Sequence, residues 1–169
     1  RVFQILDPRC RAIQRTQDGR ESAPNTVLLE LEGPAGILLT AERTALNFAQ
    51  RMTGIATLTH RFVDAVKPFP TIILDTRKTT PTLRILEKYA VHCGGGVNHR
   101  MGLFDMILIK DNHRLLWSGA TGVSLAAAVN RARSVHPGVP IEIEVETLAE
   151  LRDALEGRPD WVLLDNMTL

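Results

Sequence analysis

Ile141-Glu142-Ile143-Glu144-Val145, then Leu148 to Leu155, then Trp161-Val162-Leu163-Leu164: the order of these three segments decides the fold. The outer two are short apolar runs of the buried-strand type, and the middle one repeats its apolar residues at helical spacing. Strand, helix and strand in that order require a right-handed crossover between parallel strands. The same alternation extends upstream. A strand over Met106–Ile109 precedes a helix over about Val123–Ser134, and a β-type run at Thr71–Leu74 precedes a helix over Pro81–Cys93. Thr80 offers that last helix an N-cap with Pro81 in the first position, and Gly94-Gly95-Gly96 ends it. Four strands separated by helices predict a parallel α/β sheet.

Before Thr71 the pattern is different. Lys67-Pro68-Phe69-Pro70 stops helix formation and sets a domain boundary, so residues 1–68 and 69–169 form separate regions. From Thr40, the residues Leu46, Ala49, Met52, Ile55, Leu58, Phe62 and Val66 recur at helical intervals, which predicts two consecutive helices broken near Thr53-Gly54. Residues 1–39 hold apolar runs at Val2–Leu6, Thr26–Leu31 and Ile37–Leu39, with turn chemistry at Asp18-Gly19 and Glu32-Gly33-Pro34. That region reads as β-rich and antiparallel.

Composition narrows the function classes. The 169 residues are 44% hydrophobic and 23% charged, which excludes a disordered or membrane-spanning chain. Twenty Lys+Arg against nineteen Asp+Glu leave a net charge of +1, so an anion site must be a local concentration of charge and not a nucleic-acid-coating surface. Cys10 and Cys93 lack CxxC spacing, which argues against a disulfide framework or zinc site and for reduced thiols in a cytoplasmic protein. A closed (β/α)₈ barrel needs about 250 residues. Together with a first residue other than Met and a strand close to the last one, this makes the chain read as the middle of a longer protein.

The chemistry lies in the residues at the end of each strand. Asp75-Thr76-Arg77-Lys78, Lys110-Asp111-Asn112-His113, Glu144 and Asp165-Asn166 all fall at strand ends. In parallel α/β architectures the carboxyl end of the sheet is where ligands bind. Charges also mark places where strands simply emerge into solvent, but four ends of four favour a site. Arg77, Lys78, Arg100 and Lys110, with His99 and His113, form an anion-binding set suited to a polyanion. Lysine is scarce, at Lys67, Lys78, Lys88 and Lys110 only. Glu144 and Asp165 suit Mg²⁺ with substrate oxygens, or sugar hydroxyls, as well as simple charge balance with nearby cations. The triple glycine reads as a helix cap and turn that presents His99 and Arg100.

Several strings occur in a revealing order: Glu42-Arg43-Thr44-Ala45-Leu46-Asn47, Thr53-Gly54-Ile55-Ala56-Thr57, Asp75 to Pro81, Gly94-Gly95-Gly96 with His99-Arg100, Leu108 to His113, Glu142 to Glu146, and Leu163 to Asn166. In that order they resemble quinolinate phosphoribosyltransferase, over almost the whole chain. The resemblance implies phosphoribosyl transfer from phosphoribosyl pyrophosphate to quinolinate, with loss of pyrophosphate and CO₂, giving nicotinate mononucleotide for NAD biosynthesis. It implies a fold in which part of an N-terminal α/β sandwich (1–68) precedes the first half of an α/β (TIM-like) barrel (69–169).

By motif, Arg77, His99, Arg100 and Lys110 would bind the two carboxylates of quinolinate, with Thr76 also in the substrate site. Lys78 and Lys110 would face the phosphoribosyl substrate. Glu144 and Asp165 would hold ribose hydroxyls and Mg²⁺-pyrophosphate, directly or through water, so Lys110, Glu144 and Asp165 form the catalytic group. The residue matching Arg43 reaches into the neighbouring subunit in this family, which implies a homodimer or higher oligomer. The family's later phosphate-binding glycine segments would lie beyond Leu169, and a chain of this length alone is expected to turn over little. Two alternatives remain: a related phosphoribosyltransferase acting on nicotinate or another acid, and a catalytically incomplete anion-binding fragment.

Overall fold

The computed structural model describes residues 1–121 and 124–168, and the chain divides into two units, Arg1–His99 and Arg100–Leu169. In the first unit, helix α1 (Val2–Leu6) leads to strands β1 (Arg11–Gln14) and β2 (Leu29–Glu32), then helices α2 (Ala35–Val66) and α3 (Arg84–Cys93). β1 and β2 pair antiparallel, Arg11 opposite Glu32 and Gln14 opposite Leu29. Phe3, Cys10 and Ala41 form a small core, joined by Leu31, Ile37, Leu38 and Ala45. Gly33 is required there, because a Cβ would stand 2.7 Å from the Cys10 sulfur.

Four expectations for this unit are corrected. Val2–Leu6 is helical, with only Phe3 buried and Ile5 80% exposed, so the run packs one side chain instead of two strand faces. Ile37–Leu39 belongs to α2, whose first N–H groups, at Ile37 and Leu38, bond to the Pro34 carbonyl. The predicted break at Thr53-Gly54 is absent and α2 runs unbroken for 32 residues. One interior glycine costs only about 1 kcal/mol, which a long cooperative helix absorbs. Thr80-Pro81 does not start α3: Thr82 is left-handed at φ 67°, the Thr80 N–H is held by Glu87, and the helix begins at Arg84.

The predicted stops hold. α2 ends at Val66 before the Lys67–Pro70 stretch, and Gly94 caps α3 with Gly95 left-handed at φ 87°. The triple glycine also permits close packing, since Cβ atoms on Gly94 and Gly96 would strike Ala56, Thr59 and Val91. α3 lies along α2, which is why this unit continues past the proline stretch to His99. The run Thr71–Leu74 forms no ladder strand; Leu74 makes a single parallel bridge with Val97 before the chain turns to place His99.

The second unit contains β3 (Ile107–Ile109), α4 (Asp111–Thr121), α5 (Leu125–Val135), β4 (Ile141–Val145), α6 (Leu148–Glu156) and β5 (Trp161–Leu164). Its sheet is parallel in the order β3-β4-β5, with Ile107 opposite Ile141 and Glu144 opposite Leu163. The expected four-stranded parallel sheet is therefore three-stranded among the described residues, because the Leu74 segment contributes only its bridge in the other unit. All of β4 is buried, and Ile141, Ile143 and Val145 pack with Val129 of α5 and Ala154 of α6.

β4 and β5 have the bounds that the apolar runs predict, and α6 differs by one residue. The predicted start of α5 at Val123 lies outside the described residues. Ser124 and Thr147 cap α5 and α6 by accepting the Ala127 and Glu150 N–H groups, each at 3.2 Å. α4 was not read from sequence; it opens directly after Lys110, with Asp111 in its first turn. Among the described residues, no helix is long and apolar enough to cross a membrane.

Candidate active site

In the second unit, three successive parallel strands each deliver a charged group at the carboxyl end. Lys110 follows β3, Glu144 is the fourth residue of β4, and Asp165 follows β5. The register that pairs Ile109 with Ile143 and Val145 with Leu164 brings these ends level. Backbone ties hold them: the Lys110 N–H donates to His113 Nδ1 at 3.2 Å, the Asp165 N–H to the Val145 carbonyl at 3.0 Å, and the Asn166 amide to Asp165 Oδ2 at 3.0 Å. Arg114 donates to the Glu144 carbonyl at 2.9 Å and pairs with Glu150, which in turn accepts the Glu146 N–H at 2.8 Å.

The electrostatics of Glu144 distinguish it. Burial pushes its carboxyl up from the ordinary range, the Lys110 ammonium pulls it down, and Asp165, Asp111 and Glu146 push it up again. The cationic compensation within this unit does not cancel the cost of burial. Oxygens of Glu144, Glu146 and Asp165 lie within 4.8 Å of one another. An all-oxygen set of this kind fits a hard divalent cation or a row of hydroxyl donors.

The first unit carries the loop Asp75–Thr80. Thr76 Oγ1 accepts the Lys78 N–H at 3.0 Å, and Arg84 donates to Thr79 Oγ1 at 3.1 Å and to the Arg77 carbonyl at 3.3 Å. Among the described residues, Arg77 Nε is buried with no hydrogen-bond partner. A buried guanidinium N–H in that condition is costly unless an acceptor arrives, and a carboxylate or phosphate is the matching acceptor. The far end of the loop is held by Glu87, which accepts the Thr80 N–H at 3.1 Å and pairs with Arg51 of α2. The Arg51 guanidinium holds the Glu87 carboxyl below its usual range, against the opposing effect of burial.

The predicted residues thus fall into sets. Lys110, Glu144 and Asp165 share one strand-end cluster, while Thr76, Arg77 and Lys78 share one loop whose first residue, Asp75, also binds the His99 N–H at 2.8 Å. Arg100 opens the second unit and donates to the Met106 carbonyl at 3.3 Å. Arg43 is exposed on α2, which suits a surface residue and a reach toward another subunit equally.

Sequence reading passed over Glu146, although Glu142, Glu144 and Glu146 stand at the two-residue spacing that shares a strand face. It also gave no role to Lys88, which is 1% exposed. A lysine in a helical pattern carries no local mark of burial.

Both sets lie within stretches that match known proteins. Residues 55–169 match the family described as quinolinate phosphoribosyl transferase, C-terminal domain, and residues 1–53 match its N-terminal domain. A Synechocystis relative named probable nicotinate-nucleotide pyrophosphorylase (carboxylating) is 44% identical over 169 residues, covering 99% of this chain and 55% of its own length. A Mycobacterium leprae nicotinate-nucleotide pyrophosphorylase (carboxylating) is 47% identical over 156 residues, 92% of this chain and 53% of that protein. The solved structure of the nicotinate-nucleotide pyrophosphorylase from Francisella tularensis matches with a TM-score of 0.91 at 41% identity, over 99% of this chain and 58% of that one. The chain therefore spans about half the length of the curated relatives it matches.

Proposed function

The chain belongs to the quinolinate phosphoribosyltransferase family, and from that premise we propose that it carries active-site residues for transfer of a phosphoribosyl group to the ring nitrogen of quinolinate, with release of pyrophosphate and CO₂. The observation that carries the reading is the row of Lys110, Glu144 and Asp165 at the ends of three adjacent parallel strands. A substrate that loses pyrophosphate from a sugar carbon develops positive charge on the sugar and negative charge on the leaving group. Fixed carboxylates beside a fixed ammonium oppose both developing charges without reorganisation.

In this reading Arg77, His99, Arg100 and Lys110 bind the two carboxylates of quinolinate, with Thr76 shaping the same loop. The buried, unpartnered Nε of Arg77 is the donor that such a carboxylate would satisfy. Lys78 and Lys110 face the phosphoribosyl substrate, and Glu144 and Asp165 hold its ribose hydroxyls. Once the ring nitrogen is quaternised, its positive charge stabilises the carbanion left on the adjacent ring carbon as CO₂ departs, and a proton then takes the place of CO₂ on that carbon, while these residues hold the ring and its remaining carboxylate in place.

The all-oxygen cluster fits Mg²⁺, which Glu144 and Asp165, with Glu146 beside them, would hold directly or through water. Bound there, the ion would supply charge neutralisation for the pyrophosphate. The same reading takes the three-stranded sheet as part of a TIM-like barrel, the protein as a cytoplasmic homodimer, and Arg43 as a residue given to the partner's site.

Initial rates of CO₂ and pyrophosphate release by the full-length protein, with quinolinate or nicotinate as acceptor, test this. Quinolinate-dependent release that stops on chelation and returns with Mg²⁺ is the expected result. A preference for nicotinate, or phosphate binding without product, overturns it. Mixing Arg43→Ala with Lys110→Ala protein tests the shared site: activity should return in mixed dimers, and no recovery would place Arg43 outside the partner's site.

A further inference from the structure

The least expected side chain in the first unit is Lys88. It reaches from α3 into the interior, 1% exposed, and forms an ion pair with Asp75, whose side chain is 6% exposed. Burying two charges is costly unless their remaining hydrogen-bonding capacity is used. Here it is used on backbone. Lys88 Nζ also donates to the His99 carbonyl at 2.9 Å, and Asp75 Oδ1 accepts the His99 N–H at 2.8 Å. The Asn98 amide faces two acceptors, and in the orientation they require, with its nitrogen turned inward, it donates to Asp75 Oδ2 at 2.7 Å and to the Lys88 carbonyl at 2.9 Å. Alongside, the Val97 N–H bonds to the Ile73 carbonyl at 2.8 Å and the Asp75 N–H to the Val97 carbonyl at 3.2 Å.

One buried pair therefore grips two turns at once. One turn begins at Asp75 and carries Thr76, Arg77 and Lys78; the other carries His99. Glu87, the neighbour of Lys88 on α3, grips the first turn at its other end through the Thr80 N–H. Lys88 and Asp75 also cancel each other's charge, so the clamp adds no net charge to what Arg77, Lys78 and His99 present. A fully connected buried network of this kind rigidifies what it bonds.

We propose that Lys88, paired with Asp75 and locked by Asn98, is a positioning residue for carboxylate recognition: it sets the separation of the Arg77 and His99 backbones and so the fit of the dicarboxylate acid. The proposal rests on the assignment of Arg77 and His99 to quinolinate. It separates Lys88 from residues that touch substrate, because its ammonium is buried and bonded to Asp75 and to the His99 carbonyl.

The test compares dissociation constants for quinolinate and for phosphoribosyl pyrophosphate, by calorimetry, with the thermal melt of each variant. Lys88→Met alone strands the Asp75 charge, so the double variant Lys88→Met/Asp75→Asn, which removes both charges, is the informative one. It should melt cooperatively and bind quinolinate about tenfold more weakly. Binding of phosphoribosyl pyrophosphate, which the reading assigns to Lys78 on the gripped turn but otherwise to Lys110, Glu144 and Asp165 of the other unit, should change less than about threefold. A merely structural pair would lower the melting temperature and leave the two constants unchanged or weaken them equally, and either result overturns the proposal. Should the double variant fail to fold, Asn98→Ala decides, since it leaves the ion pair in place: quinolinate binding about threefold weaker supports the clamp, and unchanged binding overturns it. Wild-type protein that does not bind quinolinate would remove the underlying reading and this proposal with it, an outcome distinct from normal binding in the variants.

Discussion

Asp75 and Glu144 are both buried carboxylates near strand-type segments, and they are treated in opposite ways. Asp75 meets an ammonium, a backbone N–H and a side-chain amide, all from its own unit. Glu144 sits in a fully buried strand among three other acidic groups, with Lys110 as the cation that lowers its carboxyl and a net upward push. The difference separates architecture from chemistry. A carboxylate whose donors are all internal has nothing left to offer a ligand, whereas one whose burial is undercompensated gains from an incoming cation or hydroxyl.

The strongest way to break this contrast is Lys88→Met. Removing one partner of a buried pair costs about 3–5 kcal/mol, so urea or thermal unfolding should show a loss of that size. A loss below about 1 kcal/mol would mean that Asp75 is solvated like a surface carboxylate. Lys110→Ala comes next: if the proposed role of Lys110 at the developing charge holds, it should lower kcat of the full-length protein by about 10²–10³-fold with little change in melting temperature. Rates of CO₂ release measure the first effect and calorimetry the second.

Glu144→Gln sharpens the comparison from the other side. It should lower kcat by about 10²-fold while raising the melting temperature at pH 7–8. The sign comes from its raised carboxyl: the folded state holds the proton more tightly than the unfolded chain, so stability is fully present below the unfolded range and falls as pH rises through the folded one. The advantage of Gln over Glu should therefore vanish in acid, which a melt series across pH checks. The smallest effect is expected at Arg15–Glu30, a 2.6 Å pair with both side chains about half exposed. Arg15→Ala should change stability by no more than about 0.5 kcal/mol, measured by denaturant titration.

The second unit was the more legible one. β4, α6 and β5 succeed one another as a short apolar run, a helical spacing and a second apolar run, and that order survives in the fold, where Ile141, Ile143 and Val145 pack with Ala154 of α6 and the partly buried Leu151 and Val162. In the first unit, short apolar runs misled. Val2–Leu6 and Ile37–Leu39 are too short for periodicity to choose helix or strand, and contacts made later with Ala41, Cys10 and Leu31 chose helix. Thr80-Pro81 had good helix-start chemistry, but its backbone N–H was taken by Glu87, a tertiary bond that no local rule contains. Lys110, Glu144 and Asp165 were legible because strand ends are legible. Glu146 was legible in principle from the alternation in β4, and Arg114 was not, since its partners lie 30 and 36 residues away.

By itself, then, the order of residues determined the parallel α/β arrangement of the second unit, the strand-end charges and the family. Those features depend on periodicity and motif, which are properties of neighbouring residues. Tertiary structure alone decided which charges are paired inside the protein and which are left undercompensated. Asp75 and Lys88 read in sequence like any other Asp and Lys; only three-dimensional enclosure, which removes water and supplies backbone partners, turns them into a clamp while leaving Glu144 undercompensated.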